Sequence, residues 1–537
     1  MLTKRLTYTL LTAATLYAAP MQAQDSLLLR DLQFLKQQDI WLTQPNNAAL
    51  TRYATKNIFQ AEAQLAKGNG GLVNYYESSN TLQGTVSIES FYRLNSRIVV
   101  FGSIVYDNWT GRNLSGSAFI APDSKPFNLV EDSLTNEGKK HRDTYRLSGG
   151  VGVDIYQGIS LGARVDYTAA NYAKYKDLRH KNKLMDLLLT AGVYAPLTTW
   201  MNMGADYQYH RNTESLEFGT YGKSDKVYKT LIDYGTFFGS TEQFGNEGFT
   251  DKSREMPLFE DAHGGHFQLE LCPTPAFSLF ATVGLSHASG YYGRKSPFTI
   301  TYAQHTRDIV ESSARLACQY GSSRFHLDLS YSQEKLNNQA NNYRGLINAN
   351  NATYYEYYDP TETGNKRWRN FNIGATAYLG IDGELPLWTL TANYHWTQRQ
   401  QLAYLYPYYR QQHLSRNEVE VSATRNLLTP KGVWAFMLRG AYGKGSGDAF
   451  EDGTFATPST KQAQPATMEA FLYREYQYLT APQYGIGGSV KYSFVFPGTQ
   501  LVTYAKASAD YRKANEEYEY SKGKDHVSLS LSIGCTF

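Results

Sequence analysis

The segment ISLGARVDYTA at 159 to 169 puts Ile159, Leu161, Ala163, Val165 and Tyr167 on one side and Ser160, Gly162, Arg164, Asp166 and Thr168 on the other. A period of two is the signature of a β-strand, in which successive side chains point to opposite faces. The same split recurs in MNMGADYQYH (201–210), FHLDLSYS (325–332), WTLTANYHW (388–396) and the terminal HVSLSLSIGCTF (526–537). A chain that alternates along most of its length builds a sheet with one apolar and one polar face.

Tight turns separate many of these segments: LNS (94–96), YQG (156–158), APLTT (195–199), PTPA (273–276), GSS (321–323), GIDGELP (380–386), TPKG (429–432) and PGT (497–499). Gly, Pro, Asn and Ser supply the turn geometry. Longer polar connections run at about 108–142, 213–264, 336–366 and 446–482. Alternating short and long connections are the pattern of outer-membrane barrels, with short periplasmic turns and long extracellular loops. Eight hairpins, a leading strand in IFQAEAQLAKG and the closing strand at 526–537 predict an all-β, antiparallel up-and-down transmembrane barrel of 16 to 18 strands.

Only a closed barrel satisfies both an apolar outer face and the backbone groups of strands in lipid. After the amino-terminal stretch, no apolar run approaches the ~20 residues of a membrane-spanning helix. The polar faces carry Arg164, Asp166, Asp206, Asp328, Glu418, Glu420, Lys491, Lys506 and Asp510. These are too many charges for a protein core and are expected to line a wet lumen. The aromatic pairs Tyr106/Trp109, Tyr167/Tyr172, Tyr207/Tyr209 and Tyr394/Trp396 are expected to form the outer interfacial girdle.

The amino terminus divides from the barrel by composition. Lys4 and Arg5, the apolar run LTYTLLTAATLYAA and the small residues before Gln24 predict a secretory signal over 1–23. Residues 24–55 do not alternate; Leu28, Leu32 and Leu35 fit one helical face, and the segment is expected to form a periplasmic helix or plug before a barrel over 56–537. With 52 Lys+Arg against 49 Asp+Glu, nothing points to a nucleic-acid partner. Cys272, Cys318 and Cys535 are too few and scattered for a disulfide framework and read as apolar strand residues.

YRLNSRIVVFGSIVYDNWTGRN (92–113), KYKDLRHKNKLMDL (174–187) and the terminal strand ending in Phe537 resemble a porin-like family of Gram-negative outer-membrane β-barrel proteins without an assigned activity. The resemblance implies the fold and the cell outer membrane, and makes Phe537 a signal for the barrel-assembly machinery. PNNAAL at 45–50 is similar to the Asn-Pro-Ala-Ala-Leu plug motif of fatty-acid transporter barrels, although here Pro45 precedes Asn46 and Asn47.

Chemistry-bearing motifs are sparse. His287 and Ser289 in SHASG have the His-x-Ser spacing of outer-membrane phospholipases, but Thr299, Ile300 and Thr301 stand where an orienting Asn is expected. His263 and His266, with Glu260 and Asp261, can be drawn as metal ligands or as ordinary polar residues of a strand end. The expectation is a non-enzyme with no cofactor and no metal, passing a small solute across the outer membrane. The alternative is a loop-plugged receptor or accessory protein binding a surface glycan or protein; a lipid hydrolase is a minor third. Tyr-rich stretches at 353–360, 402–412 and 516–524 would serve such recognition, or extend the strands beyond the membrane. Beyond such a partner, the expected contacts are outer-membrane lipid and the assembly machinery.

Overall fold

The computed structural model describes residues 31–53, 57–131, 136–221, 225–245, 248–496, 499 and 501–537. The signal reading of 1–23 therefore lies outside the described residues, as do 24–30 and 54–55 of the segment that follows and the first residue of the predicted barrel, 56.

Eighteen antiparallel strands close a barrel. The first, Ile58–Gly70, pairs with the last, Asp525–Thr536, in a register running from Gln60↔Thr536 to Gly70↔His526. Every other barrel strand pairs with its neighbours in sequence, so the meander predicted from the alternation is the topology observed. The short strand Glu451–Thr454 adds to the first residues of Tyr408–Thr429, Tyr408 to Gln411, and completes a nineteen-stranded sheet.

The two faces sort as the alternation demands. Leu161 and Val165 are exposed on the outer face with Leu285, Leu327, Leu390, Leu529 and Leu531. Trp109 and Tyr172 depart from the girdle reading: Tyr172 is buried, and Trp109 lies under the Arg142 guanidinium, 5.5 Å from its ring centre, in the interior. Both rings sit one residue out of phase with the lipid-facing row, so strand parity overrides their interfacial preference.

The stretch 336–366 is not a loop. It is strand, in Ser323–Ile347 and Thr353–Asp382, 25 and 30 residues long and joined across 348–352. Since ~9–11 residues cross a bilayer, this hairpin extends far past it, carrying Tyr354, Tyr357 and Tyr358 exposed. Likewise 402–412 forms the tip of a hairpin turning at Tyr406-Pro407.

The other long connections turn inward. Asn128–Glu131, Lys229–Gly235, Phe238–Gln243 and Ala466–Thr467 pair as a second, four-stranded sheet, and Glu469–Thr480 is helical. Phe119, Phe127, Leu129, Ile232, Phe238 and Phe249 of these connections pack on inward residues of the barrel wall, among them Leu216, Leu258, Tyr292 and Ala403. A wall of eighteen strands encloses more space than its own side chains fill; here folded loops pack into the half of the lumen away from the short turns.

Candidate functional site

The end of the lumen bearing the short turns is closed by residues 31–53. Asp31 caps the helix Leu32–Gln38 by accepting from the backbone N–H of Gln33 and Phe34, at 2.9 and 3.1 Å. Leu32 and Leu35, two of the three leucines placed on one helical face, are buried with Leu42, Leu50 and Tyr53 against Phe91 and Val99 of the wall. Leu28 lies outside the described residues. Trp41 stands edge-on to Tyr194 and Phe280, with ring centres 5.1 and 5.0 Å apart. Its indole N–H donates to Glu270 at 2.9 Å. Arg52 reaches the same carboxylate at 3.3 Å and donates to the Tyr194 hydroxyl at 2.8 Å.

The PNNAAL stretch lies in a trough paved by glycines. Gly150, Gly152, Gly162, Gly192 and Gly204 all face inward, on four consecutive strands, and a Cβ at any of them would strike Trp41 or residues 46 to 50. At Gly152 it would fall 2.5 Å from the Asn47 carbonyl oxygen, and at Gly204 2.8 Å from the Trp41 ring. Asn46 Nδ2 donates to the Val193 carbonyl at 3.0 Å and to Gln268 Oε1 at 2.8 Å. Its Oδ1 accepts from the Ala48 N–H at 3.1 Å. The signal for this trough was present in the sequence: glycine inside a strand marks close approach of another backbone.

All of the proposed lumen residues but Lys506 form ion pairs on the inner wall. Arg164 donates to both carboxylate oxygens of Asp166, at 2.7 and 2.8 Å. Asp206 accepts from Gln268 at 2.9 Å and lies 2.9 Å from His266 Nδ1. Asp328 holds Arg315 at 2.6 Å. Glu418 lies 3.4 Å from Arg416, while Arg439 bridges Glu420 at 3.0 Å and Asp510. Lys491 sits 4.4 Å from the Tyr504 ring centre and 3.9 Å from Asp31. Lys506 is half-buried directly across from it.

Arg416, Glu418, Glu420, Arg439 and Asp510, with Arg142 and Arg512, line a cavity of about 520 Å³. Tyr76, Trp109 and Tyr478 supply its rings. The helix Glu469–Thr480, here called the plug helix, borders it: Arg416 donates to the Leu479 carbonyl at 3.0 Å and Arg512 to the Tyr478 hydroxyl at 3.2 Å. That helix is anchored by Glu475, which accepts two hydrogen bonds from Arg399 at 2.9 and 2.7 Å. A void of about 20 Å³, room for one water, lies beside this pair among Asp123, Asp233, Lys366, Gln401 and Tyr75. Burial pushes the Asp233 carboxyl up to about 6, although Lys366 and the N–H groups of Gly235 and Phe238 favour its ionised form. Charged groups on both walls with rings between them can hold a polar solute by hydrogen bonds and stacking.

The remaining motifs do not assemble. His287 and Ser289 lie exposed on the outer face, where His287 Nδ1 meets Asp308 at 2.7 Å. His263 points outward to the Tyr207 hydroxyl at 2.7 Å while His266 points inward to Asp206, as a spacing of three on a strand requires. The three cysteines are free.

Among solved structures, the chain is similar to the outer membrane transporter YddB of Escherichia coli, at 7% identity over 90% of this chain and 81% of that one, TM-score 0.41. It is similar to the alcaligin outer membrane receptor FauA of Bordetella pertussis at 9% identity over 89% and 76%, TM-score 0.40. OccK3 (OpdO) of Pseudomonas aeruginosa matches at 10% identity over 90% and 95%, TM-score 0.34. No curated protein sequence matches. The model of a family of unknown function (DUF6850) matches residues 47–537. The chain, an eighteen-stranded antiparallel β-barrel, belongs to that family of unknown function.

Proposed function

We propose that this barrel takes up a small polar solute across the outer membrane through a gated lumen, rather than serving as an open pore. The carrying observation is the cavity of about 520 Å³, which lies within the size range of small-molecule sites. Its wall of Arg142, Arg416, Arg439 and Arg512 against Glu418, Glu420 and Asp510 suits a zwitterionic or polyhydroxylated solute. The near balance of signs disfavours strong selection by charge alone. Passage requires the helix Glu469–Thr480 and residues 31–53 to move, which means parting the Arg399–Glu475 pair and the apolar packing of Leu32, Leu35 and Leu50 on the wall.

Proteoliposomes carrying the full chain test this reading. Uptake of labelled amino acids or small sugars is expected to saturate with concentration, and to fall at least tenfold in an Arg439→Gln, Glu420→Gln variant. Uptake no greater than that of empty liposomes across both solute classes would overturn it.

The exposed tyrosines of the projecting hairpin favour a second reading, in which the exterior binds a glycan or protein partner at the cell surface. Shortening the hairpin across 343–358, which removes Tyr354, Tyr357 and Tyr358 together, would then abolish that binding while leaving solute uptake intact.

A further inference from the structure

Among the described residues, the outer face carries a cluster of cations, Lys335, Arg367 and Arg369, that form no salt bridge. Along Ser323–Ile347 the lipid-facing row reads Phe325, Leu327, Leu329, Tyr331, Gln333 and Lys335, because Leu336 and Asn338 of the other parity are buried inside. In the next strand Ile373 lies across from Leu329, Phe371 from Tyr331, Arg369 from Gln333 and Arg367 from Lys335. Trp396 and Tyr394 continue the aromatic row one strand further, across from Phe371 and Ile373. Apolar residues, then rings, then cations therefore succeed one another along one side of the wall.

The height of the cations follows from strand geometry. Ten residues separate Phe325 from Lys335, and at a rise of about 3.4 Å and a tilt of about 40° they climb about 26 Å, matching the ~25 Å apolar band of outer-membrane barrels. Lys335, Arg367 and Arg369 stand where the outer leaflet presents its headgroups.

Their charge is unmet within the wall. Arg369 donates Nε to Gln333 at 3.1 Å and Nη1 to Gln398 at 2.9 Å, two neutral amides that orient the guanidinium without cancelling it. Lys335 and Arg367 are direct cross-strand partners, and like charges so placed repel. The acid in register with Lys335 is Asp308, whose Oδ1 is engaged by His287. Several other exterior cations are matched: Lys183 by Glu255, Arg344 by Glu356, and Arg211 by the face of Phe259.

We propose that Lys335, Arg367 and Arg369 form a binding site for a phosphate of the phosphorylated glycolipid headgroup in the outer leaflet. Planar guanidinium groups bind phosphate oxygens in pairs of hydrogen bonds. The ring row beneath them packs on the first carbons of the acyl chains. An anion here also relieves the repulsion between Lys335 and Arg367.

The test uses full-length folded barrel in detergent, with diphosphorylated lipid A, its dephosphorylated counterpart and inorganic phosphate as probes in native mass spectrometry. Expected are one or more diphosphorylated lipids retained per barrel, with retention falling about fivefold for each cation replaced in Lys335→Gln, Arg367→Gln and Arg369→Gln, the scale of one basic residue near an anionic lipid surface. Heat-modifiable gel mobility verifies that each variant is a folded barrel, and Lys183→Gln serves as a control whose retention stays unchanged. Equal retention of the dephosphorylated lipid, or unchanged retention in the triple variant, would overturn the assignment. So would competition by inorganic phosphate at concentrations equal to the lipid's, which would mark a general anion patch.

Discussion

Asn46 Nδ2 lies 2.8 Å from the side-chain oxygen of Gln268, and Gln268 in turn donates to Asp206 at 2.9 Å. A residue of the leading segment is thus hydrogen-bonded into a fully buried polar chain on the barrel wall, with Gln268 at 0% exposure. Contacts of this kind cost about 1–3 kcal/mol when one partner is deleted, because the other is left buried and unmet. Asn46→Ala is expected to loosen the segment, and Gly162→Val, which places two methyl groups where Ala48 lies, to expel it. In planar bilayers the unmodified protein should be quiet for most of the record, and Gly162→Val should show sustained conductance steps. Equal conductance in both would sink the assignment of residues 31–53 as a closure.

The barrel was legible in the sequence because its determinant is local. The alternation in 159–169 fixes which face each residue takes, and Arg164 and Asp166 share a face of Ile159–Lys174 with Gly162. What fills the lumen was not legible, because it depends on pairings far apart in the chain. Phe238 meets Gly235 in a tight hairpin whose tip residues, Thr236 and Phe237, both have φ of 54°, yet neither is the glycine that such turns favour. The strand at 229–235 also finds its partner at 128–131, a pairing that no spacing announces. The run 336–366 was misread for a related reason: its Asn-rich and charged residues suggest a loop, but strands that have left the membrane no longer need an apolar face.

The plug helix hangs on Arg399 and Glu475, with side chains 11% and 5% exposed. Breaking a buried pair on one side costs about 3–5 kcal/mol, since the surviving Arg399 is left buried with only the neutral Gln412 and the more distant Asp123 beside it. Glu475→Gln is therefore expected to raise hydrogen exchange of 469–480 by two orders of magnitude or more, while exchange in the strand Ile159–Lys174 stays unchanged. Arg399→Met with Glu475→Leu should recover much of the protection. Unchanged exchange in the single variant would show that the helix is held by its apolar face alone.

Asp233 makes the inner sheet sensitive to pH. Its carboxyl accepts from the N–H groups of Gly235 at 2.9 Å and Phe238 at 3.2 Å, and Asp123, Glu475, Lys366, Arg399 and Tyr75 share its surroundings. Burial raises it from 3.8 to about 6, so between those values the folded plug binds more protons than the unfolded one. Stability from this group is full below about pH 4 and is lost as pH rises through 6. At about 1.4 kcal/mol per pH unit the loss is on the order of 3 kcal/mol. Protease cleavage within 225–245 should accelerate from pH 4.5 to 7 in the native chain, and Asp233→Asn should flatten that profile. A profile that is identical in the two proteins would exclude Asp233 as its source.

Phe537 closes the seam. Its N–H donates to the Phe59 carbonyl at 3.0 Å, Phe59 returns the bond at 2.8 Å, and the two rings stack with centres 4.6 Å apart. Two roles for the terminal aromatic separate here. If it serves only to latch the first strand to the last, Phe59→Ala and Phe537→Ala should reduce inserted barrel equally, each losing an aromatic pair worth about 0.5–1.5 kcal/mol. If assembly machinery also reads the chain end, as strand addition at a free edge would allow, then Phe537→Ala should lower outer-membrane yield severalfold more than Phe59→Ala. We expect the second pattern, measured by membrane fractionation after matched expression, because the end must be captured before the seam it will close exists. Equal yields of the two variants would reduce Phe537 to a latch.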